Sequence, residues 1–223
     1  MRAVIFLNGH VTDYQALARH LKSDDYLICA DGGTTHCMAL HLRPHVVVGD
    51  LDSTALNVIQ ELERQGTIIE RHPIKKDQTD LELAVVRALR EGADNILLLG
   101  ALGGRLDQMM ANVLLLAQSE WPVPISLAEG PQIARLMRDG ETLTLDGQSG
   151  DTVSVIPISR AVTGITYGGL VYALEDVTLE LGTTRGISNV MAQPRATIQI
   201  GSGLLLVIHT QGQADTSGSA NGI

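Results

Sequence analysis

Short apolar runs alternate with amphipathic stretches in the first half of the chain. The runs are rich in Val, Ile and Leu at consecutive positions, which is typical of strands buried on both faces of a parallel sheet. Between them, residues 56–62 and 81–89 repeat apolar side chains at spacings of three and four, as helices packed against a sheet do. The pattern predicts a doubly wound, mostly parallel α/β domain. Its strands are expected near residues 2–8, 25–30, 45–49, 67–70 and 95–100.

The pattern changes after residue 124, where short β-branched runs are separated by Gly, Asp and Ser. A series of short strands without helices predicts a small antiparallel β-sandwich. We place an α/β domain at residues 1–130, the β-sandwich at 131–212 and a flexible tail at 213–223, which has little to bury. The strands of this second series are expected near residues 125–128, 142–145, 152–158, 177–181, 196–200 and 204–209.

Composition narrows the possible partners and compartment. The net charge is -9 and the sequence contains no basic run, which argues against nucleic acid or an anionic membrane as the main partner. No apolar run approaches the roughly 20 residues that span a bilayer. Cys29 and Cys37 lack metal-binding spacing, so we expect reduced thiols and a cytoplasmic protein.

Four acidic turns follow predicted strands or precede predicted helices, at residues 31–33, 49–53, 77–80 and 103–107. Ligands of doubly wound sheets bind beyond the carboxyl ends of the strands, so we expect these turns to converge at one edge of the sheet. Carboxylate oxygens suit Mg²⁺, which usually bridges one or two carboxylates to substrate phosphates. The sequence therefore predicts a magnesium and phosphate site with Asp50, Asp52 and Asp80 as metal ligands.

The first two turns differ in how strongly they indicate function. Asp31 precedes two glycines that let the backbone approach a phosphate or ribose, but an ordinary turn or cap explains it equally well. Asp50 and Asp52 are more informative, because two like charges so close together are costly without a cation. Ser53 is predicted to cap the helix that follows rather than to catalyse.

The third turn also has two interpretations. Thr79 and Glu82 have the spacing of a capping box, and acids near a helix start are favoured by the helix dipole. Asp77 and Asp80 are therefore compatible with a purely structural role. Against this, Lys76 and the lysine before it bring positive charge beside two carboxylates, which suits a metal-bound polyphosphate. We favour function for Lys76 and Asp80.

The fourth turn is the most specific segment. Glycines follow a buried strand and leave the backbone accessible to a ligand. The guanidinium of Arg105 can bind a phosphate through two hydrogen bonds, and Asp107 begins a predicted helix. The segment is neither a Walker A loop, since no Gly-Lys-Ser/Thr follows, nor a Gly-x-Gly-x-x-Gly fingerprint, so a P-loop kinase is disfavoured. The seven histidines show no triad or metal-binding spacing, and we assign none of them a catalytic role.

Taken together and in this order, the turns resemble those of the thiamine pyrophosphokinase family. The segments that carry the resemblance are Ala30-Asp31-Gly32-Gly33, Gly49-Asp50-Leu51-Asp52-Ser53, Asp77-Gln78-Thr79-Asp80 and Gly103-Gly104-Arg105-Leu106-Asp107-Gln108. It extends to residues 168–174 and 186–189 and so covers nearly the whole chain. The resemblance implies a homodimeric, Mg²⁺-dependent enzyme that moves the pyrophosphoryl group of ATP to the hydroxyl of thiamine, giving thiamine diphosphate and AMP.

The resemblance also implies residue roles. Asp50, Asp52 and Asp80 would bind Mg²⁺, and catalysis would further involve Asp77, Arg105 and Asp107, with the choice between Asp77 and Asp107 as the group that orients or deprotonates the hydroxyl left open. The implied ATP contacts are Asp31, Gly32, Gly33, Lys76, Thr79, Gly103, Gly104 and Arg105. The implied thiamine contacts are Asp107 and Gln108, together with Tyr172, Ser188 and Asn189 from the other subunit.

Two alternatives stay open. One is a related pyrophosphokinase that acts on a pterin alcohol, and the other is a non-catalytic module that binds thiamine or a nucleotide. Tyr172 and the Ser188-Asn189 pair favour thiamine as the acceptor, because a pterin enzyme need not have them. The acids of the predicted metal site and Arg105 favour an enzyme, since a pure binding module does not need all of these groups.

Overall fold

The structure is a computed structural model that describes residues 1–118 and 121–212. The chain divides into two compact units, Met1–Leu136 and a second unit that begins at Met137. The predicted tail at 213–223 lies outside the described residues. None of the helices in the described part of the chain is long and apolar enough to cross a membrane.

The first unit is built on a sheet whose strands are parallel except at one edge. In spatial order the strands are β7, β6, β5, β1, β2, β3 and β4, and only β7 runs antiparallel to its neighbour. The bounds are β1 Arg2–Phe6, β2 Tyr26–Ala30, β3 Val46–Gly49, β4 Ile68–Arg71, β5 Asn95–Leu99, β6 Ile125–Glu129 and β7 Gln132–Met137. The predicted α/β fold is confirmed.

The last two strands of the first sheet follow the change in hydrophobic pattern. The predicted strand at 125–128 belongs to the series after this change but lies within the predicted α/β domain at 1–130, and β6 pairs in parallel with β5 in the first sheet. It then turns back through the hairpin into β7, and the sequence-based boundary after residue 130 falls in that turn. The change in hydrophobic pattern after residue 124 therefore precedes the end of the first sheet.

Helices connect the strands of the first unit. They are α1 Tyr14–Ala18, α2 Thr34–Ala39, α3 Leu56–Arg64, α4 Asp80–Arg90 and α5 Leu106–Leu115. The apolar stripes predicted at 56–62 and 81–89 are confirmed, since Ile59, Leu62 and Leu81 are buried. The predicted cap at Ser53 is wrong, because α3 begins only at Leu56 with Ala55 in the N-cap position. The chain turns between residues 51 and 54 before it enters the helix.

The order of the strands creates a crevice at one edge of the sheet. From β1 the chain moves outward through β2 and β3 to β4, and α4 then carries it back to β5 on the other side of β1. The order therefore reverses between β1 and β5. Turns that leave the carboxyl ends of strands on either side of such a switch point surround a ready-made ligand site.

The second unit contains antiparallel strands in two layers. In one layer β9 lies between β12 and β14, and in the other the order is β11, β10, β13 and β8. Side chains such as Val155, Val162 and Ile198 form a shared apolar core, which confirms the predicted β-sandwich. The bounds are β8 Thr142–Asp146, β9 Thr152–Pro157, β10 Ala161–Gly168, β11 Val177–Glu180, β12 Asn189–Val190, β13 Arg195–Gln199 and β14 Leu205–Thr210.

Candidate active site

A cavity of about 480 Å³ opens at the carboxyl ends of β1, β2, β3 and β5. All four acidic turns contribute to its lining. Nine residues that the sequence singled out line it, namely Asp31, Asp50, Asp52, Lys76, Thr79, Asp80, Gly103, Arg105 and Gln108. The strand-end argument thus explains why segments separated by more than seventy residues in the sequence meet in one place.

Three of the acids form a compact cluster. Asp31, Asp50 and Asp52 each offer one carboxylate oxygen, and these oxygens lie within 4.8 Å of one another. Asp31 is only 9% exposed, and its Oδ1 is buried with no hydrogen-bond partner among the described residues. A buried carboxylate oxygen without a partner is costly unless a ligand satisfies it. The three carboxylate oxygens are ligands of the kind that a hard divalent cation prefers.

The backbone around this cluster is held in unusual conformations. Asp31 has φ 43° and Leu51 has φ 65°, values in the left-handed region that residues other than glycine rarely adopt. The carbonyl oxygen of Asp31 accepts hydrogen bonds from Thr34 Oγ1 at 2.8 Å and Thr54 Oγ1 at 3.4 Å. Such conformations persist where the surroundings enforce them, and they are frequent at binding sites.

Asp80 lies next to the cluster and forms an ion pair with Lys76. A Cβ built on Gly49 would lie 3.2 Å from Asp80 Oδ1 and 3.1 Å from Asp31 Cβ, which locates both aspartates around that glycine. Lys76 Nζ donates to Asp80 Oδ1 at 2.6 Å. The compact cluster therefore groups Asp31 with Asp50 and Asp52, while Asp80, which the sequence placed in this set, pairs with Lys76.

Thr79 caps α4 with a complete capping box. Its Oγ1 accepts from the backbone N–H of Glu82 at 3.2 Å, and its own N–H donates to Glu82 Oε2 at 2.8 Å. The structural interpretation of this turn is thus confirmed for Thr79 and Glu82. Because Thr79 also lines the cavity, the cap fixes the start of α4 beside the site.

Arg105 forms a bidentate ion pair with Asp107. Arg105 Nε donates to Asp107 Oδ1 at 3.1 Å and Nη2 donates to Oδ2 at 2.6 Å. Both side chains are exposed. The hydrogen bonds from Arg105 lower the pKa of Asp107. Arg105 and Gln108 line the cavity.

The remaining first-unit residues singled out by the sequence lie outside the lining. A Cβ on Gly33 would overlap the carbonyl of Phe6, and one on Gly32 would overlap the side chain of Asn8, so both glycines permit close packing of the turn after β2. The residues outside the lining are Gly32, Gly33, Asp77, Gly104 and Asp107.

Asn8, Gly9 and Asn112 line the cavity but lie outside the segments that the sequence reasoning singled out. Asn8 and Gly9 follow β1 in the same way that Asp31 follows β2, so the strand-end rule applied to β1 would have found them. Asn112 lies four residues after Gln108 on α5, and its Nδ2 donates to the carbonyl of Ala101 at 2.8 Å. The helical spacing from Gln108 was the available signal.

Two family models match this chain. The model described as thiamin pyrophosphokinase, catalytic domain, matches residues 17–125, and the model described as thiamin pyrophosphokinase, vitamin B1 binding domain, matches residues 141–205. The chain belongs to the thiamin pyrophosphokinase family. The family resemblance stated from the sequence, and with it the prediction of an enzyme, is confirmed.

Individual relatives agree with the family models. Thiamine pyrophosphokinase of Bacillus subtilis is 29% identical over 184 residues, which cover 82% of this chain and 86% of the relative. Thiamine pyrophosphokinase 1 of Arabidopsis thaliana is 26% identical over 231 residues, which cover 92% and 85%. The crystal structure of thiamin pyrophosphokinase from Geobacillus thermodenitrificans has a TM-score of 0.81 at 26% identity and covers 96% of this chain and 99% of that one.

Three residues singled out by the sequence lie in the part matched by the vitamin B1 binding model. Asn189 is 7% exposed, and its Oδ1 accepts from the N–H of Tyr172 at 3.0 Å while its Nδ2 donates to the carbonyl of Tyr172 at 2.7 Å. The Tyr172 side chain itself is exposed. Ser188 has φ 60°, and its N–H donates to Ser154 Oγ at 3.0 Å. In this family member, Asn189 thus fixes the backbone that carries an exposed aromatic ring.

Proposed function

We propose that this chain transfers the pyrophosphoryl group of ATP to the hydroxyl of thiamine, forming thiamine diphosphate and AMP in a Mg²⁺-dependent reaction. The observation that carries the proposal is the cavity at the switch point, where the acid cluster lies beside Lys76 and Arg105 in a member of this family. Carboxylates for a cation and cations for phosphates are the groups that phosphoryl transfer requires.

The acid cluster fits Mg²⁺. Asp31, Asp50 and Asp52 supply oxygen ligands only, and the unpartnered Oδ1 of Asp31 is an atom that a cation would satisfy. Asp80 is kept as a further ligand, because the pairing with Lys76 leaves its second oxygen available. When bound, Mg²⁺ supplies neutralisation of the charge that develops on the transferred phosphates.

The basic side chains are proposed to hold the phosphates. Lys76 exchanges Asp80 for a phosphate oxygen, and Arg105 presents a planar fork that matches phosphate geometry. Asp31, Thr79 and Gly103, which line the cavity, are proposed to contact the nucleotide, while Gly32, Gly33 and Gly104 allow the two turns to adopt their shape. These contacts place the β-phosphorus in line with the acceptor oxygen, so that positioning and charge neutralisation supply most of the rate.

The bond changes at the acceptor are simple. The hydroxyl oxygen of thiamine forms a bond to the β-phosphorus, the bond from that phosphorus to the bridging oxygen breaks, and AMP leaves with this oxygen. The hydroxyl proton passes to a carboxylate or to water. Asp107, which precedes the lining residue Gln108, and Asp77, which lies between the lining residues Lys76 and Gln78, are the two candidates for orienting the hydroxyl.

The thiamine half of the site is proposed to need a second subunit. Tyr172, Ser188 and Asn189 of one chain would cover thiamine bound to the cavity of the other, with the aromatic ring stacked on the flat cation. Exposed apolar side chains support a homodimer: Leu106, Met110 and Leu114 form a stripe on α5, and Val171 and Leu181 are exposed in the second unit. Apolar surface of this kind marks interaction sites.

A cytoplasmic location belongs to the same proposal. Cys29 and Cys37 are both free and buried, and burial raises the pKa of the Cys29 thiol well above its usual value. Reduced, unreactive thiols are typical of proteins kept in a reducing compartment.

The proposal is tested by incubating the purified protein with Mg²⁺, ATP and thiamine and separating the products by chromatography. Thiamine diphosphate and AMP should appear together, and removing Mg²⁺ with a chelator should stop both. AMP without thiamine diphosphate would contradict the assigned acceptor and call for a trial of pterin alcohols. Absence of any nucleotide turnover would favour a binding module instead.

A further inference from the structure

A buried histidine lies beneath the turns that leave β1 and β5. His36, on α2, is 7% exposed, and its Nε2 is 2.8 Å from the carbonyl oxygen of Gly9. A carbonyl only accepts, so Nε2 carries the hydrogen and Nδ1 is the acceptor. Tyr14 Oη lies 2.9 Å from Nδ1 and therefore donates to it. Burial lowers the pKa of His36, which favours this neutral form.

The imidazole is connected to both turns at the switch point. Gly9 N–H donates to the carbonyl of Gly100 at 2.8 Å, and a Cβ on Gly9 would overlap the carbonyls of Gly100 and Leu102. A Cβ on Gly100, which has φ 64°, would lie 3.2 Å from His36 Cδ2. The turn after β1, the turn after β5 and the histidine thus form one close-packed unit. Gly9 lines the cavity.

The same unit reaches the turn after β2. Asn8, which precedes Gly9 and also lines the cavity, packs against Gly32 so closely that a Cβ there would overlap its side chain. Gly32 directly follows Asp31, the buried member of the acid cluster. A displacement of Gly9 would therefore move Asn8 and, through Gly32, the turn that carries Asp31.

We infer that His36, held by Tyr14, is a positioning residue for the nucleotide side of the site. It fixes the carbonyl of Gly9 and thereby the places of Asn8 and Asp31. The inference rests on the proposed function, because it assigns the turn at 31–33 to the nucleotide. It goes beyond that function by giving a role to two residues that touch no reacting atom. A misplacement of about 1 Å at such a turn can cost on the order of 100-fold in rate.

The test uses three variants of the full-length protein. His36→Leu removes the hydrogen bond to Gly9 and keeps an apolar side chain in the pocket, whereas His36→Gln keeps an amide N–H that can reach the same carbonyl. Tyr14→Phe removes only the donor to Nδ1. The measured quantities are kcat and KM for ATP and for thiamine, the calorimetric Kd for the Mg²⁺ complex of α,β-methylene-ATP, and the melting temperature.

We expect His36→Leu to lower kcat/KM for ATP and the affinity for the analogue by about 10- to 100-fold, while KM for thiamine changes by less than about 2-fold. His36→Gln should recover most of this loss. Tyr14→Phe should show a smaller loss of about 2- to 10-fold, as expected for one hydrogen bond.

The matched control is His209→Leu. His209 is also buried, at 5% exposure, and its Nε2 is hydrogen-bonded to Asp151 at 2.9 Å in the second unit. It should lower the melting temperature and leave the kinetic constants and the analogue Kd unchanged.

The inference is overturned if His36→Leu behaves like this control, or if His36→Gln is no better than His36→Leu. Failure of the proposed function shows separately, as wild-type protein that forms no thiamine diphosphate. The analogue Kd still tests the role of His36 in that case, and wild-type protein that does not bind the analogue would overturn both.

Discussion

Two buried aspartates, one in each unit, are treated very differently by their surroundings. Asp151, 3% exposed, accepts hydrogen bonds from the N–H of Gln148 at 3.0 Å, from His209 Nε2 at 2.9 Å and from the N–H of Gly212 at 2.8 Å. Asp31, 9% exposed, leaves its Oδ1 without a partner among the described residues and has a left-handed backbone. Asp151 is thus satisfied by its own chain, whereas Asp31 keeps one oxygen without a partner in the described ranges.

The difference separates a structural acid from a binding acid. Burial raises the pKa of Asp151, but hydrogen bonds from Gly212, Gln148 and His209 outweigh it and leave that pKa lowered. The fold therefore favours the charged form of Asp151 without any ligand. Asp31 lies at the carboxyl end of a parallel strand, where β2 ends beside β3 and two further acids are close. A buried carboxylate oxygen without a hydrogen-bond partner at the end of β2 is an expected ligand for a cation.

The largest expected effect is on turnover. Asp31→Asn and Asp50→Asn should each lower kcat by about 100-fold or more, because each removes a charged oxygen from the proposed cation site. Both proteins should still fold, with melting temperatures close to that of the wild type. Rates of thiamine diphosphate formation and thermal melts of the same samples check this, and wild-type-like turnover in either variant would remove that residue from the metal site.

The next effect is on stability in the second unit. Asp151→Ala should lower the free energy of unfolding by about 2–4 kcal/mol, since it leaves the buried His209 and two backbone N–H groups without their partner. Urea unfolding measures the change. The folded variant should keep the wild-type kcat and KM, and a selective loss of kcat in fully folded protein would contradict the structural assignment of Asp151.

A third effect is the pH dependence of that stability. The pKa of Asp151 is lowered in the folded protein, so its contribution is complete above the unfolded pKa of about 3.9 and is lost as the pH falls through the lower folded value. The difference in unfolding free energy between wild type and Asp151→Asn should therefore shrink below about pH 4. Urea titrations from pH 7 to pH 3 test this, and a difference that stays constant across the range would be the contrary result.

A smaller effect concerns Mg²⁺ in the absence of substrates. At about 10 to 100 times its Kd, a cation that binds the folded state should add about 1.4–2.7 kcal/mol and raise the melting temperature by a few degrees. This shift should disappear in Asp31→Asn and persist in Asp151→Asn. Ca²⁺ and a matched concentration of NaCl provide the ionic controls, and an equal shift in both variants would place the cation elsewhere.

The smallest effect involves a third acid. Glu129, at the end of β6, has a buried Oε2 with no partner in the described part of the chain, and burial raises its pKa. A raised folded pKa means that the charged form costs stability as the pH rises above the unfolded value of about 4.3. Glu129→Gln should therefore stabilise the protein by about 1 kcal/mol at pH 7 and by nothing below pH 4. Equal stability of the two proteins at pH 7 would show that the charge is compensated.

The local hydrophobic pattern was sufficient to predict most of the strands and helices of the first unit. Buried parallel strands are continuous apolar runs, and the position of the acidic turns at the carboxyl ends of these strands predicts that they converge. It did not identify which acids form the compact cluster, because that depends on the adjacency of β2 and β3. Lys76 also draws Asp80 into an ion pair, which spacing alone does not indicate.

The second unit shows the limits of local pattern more clearly. The short strand β12 has only two residues, so it does not stand out in the sequence. The role of Asn189 in holding the backbone of Tyr172 depends on a contact between segments seventeen residues apart. The pairing of Asp151 with His209 spans fifty-eight residues. Contacts of this kind follow from the tertiary fold and leave no local signature.

The most direct test of the account is a ³¹P NMR time course on wild type, Asp31→Asn and Asp151→Asn with Mg²⁺, ATP and thiamine. The account predicts thiamine diphosphate and AMP in equal amounts from the wild type and from Asp151→Asn, and almost none from Asp31→Asn. Formation of ADP and thiamine monophosphate, or equal rates from the two aspartate variants, would contradict it.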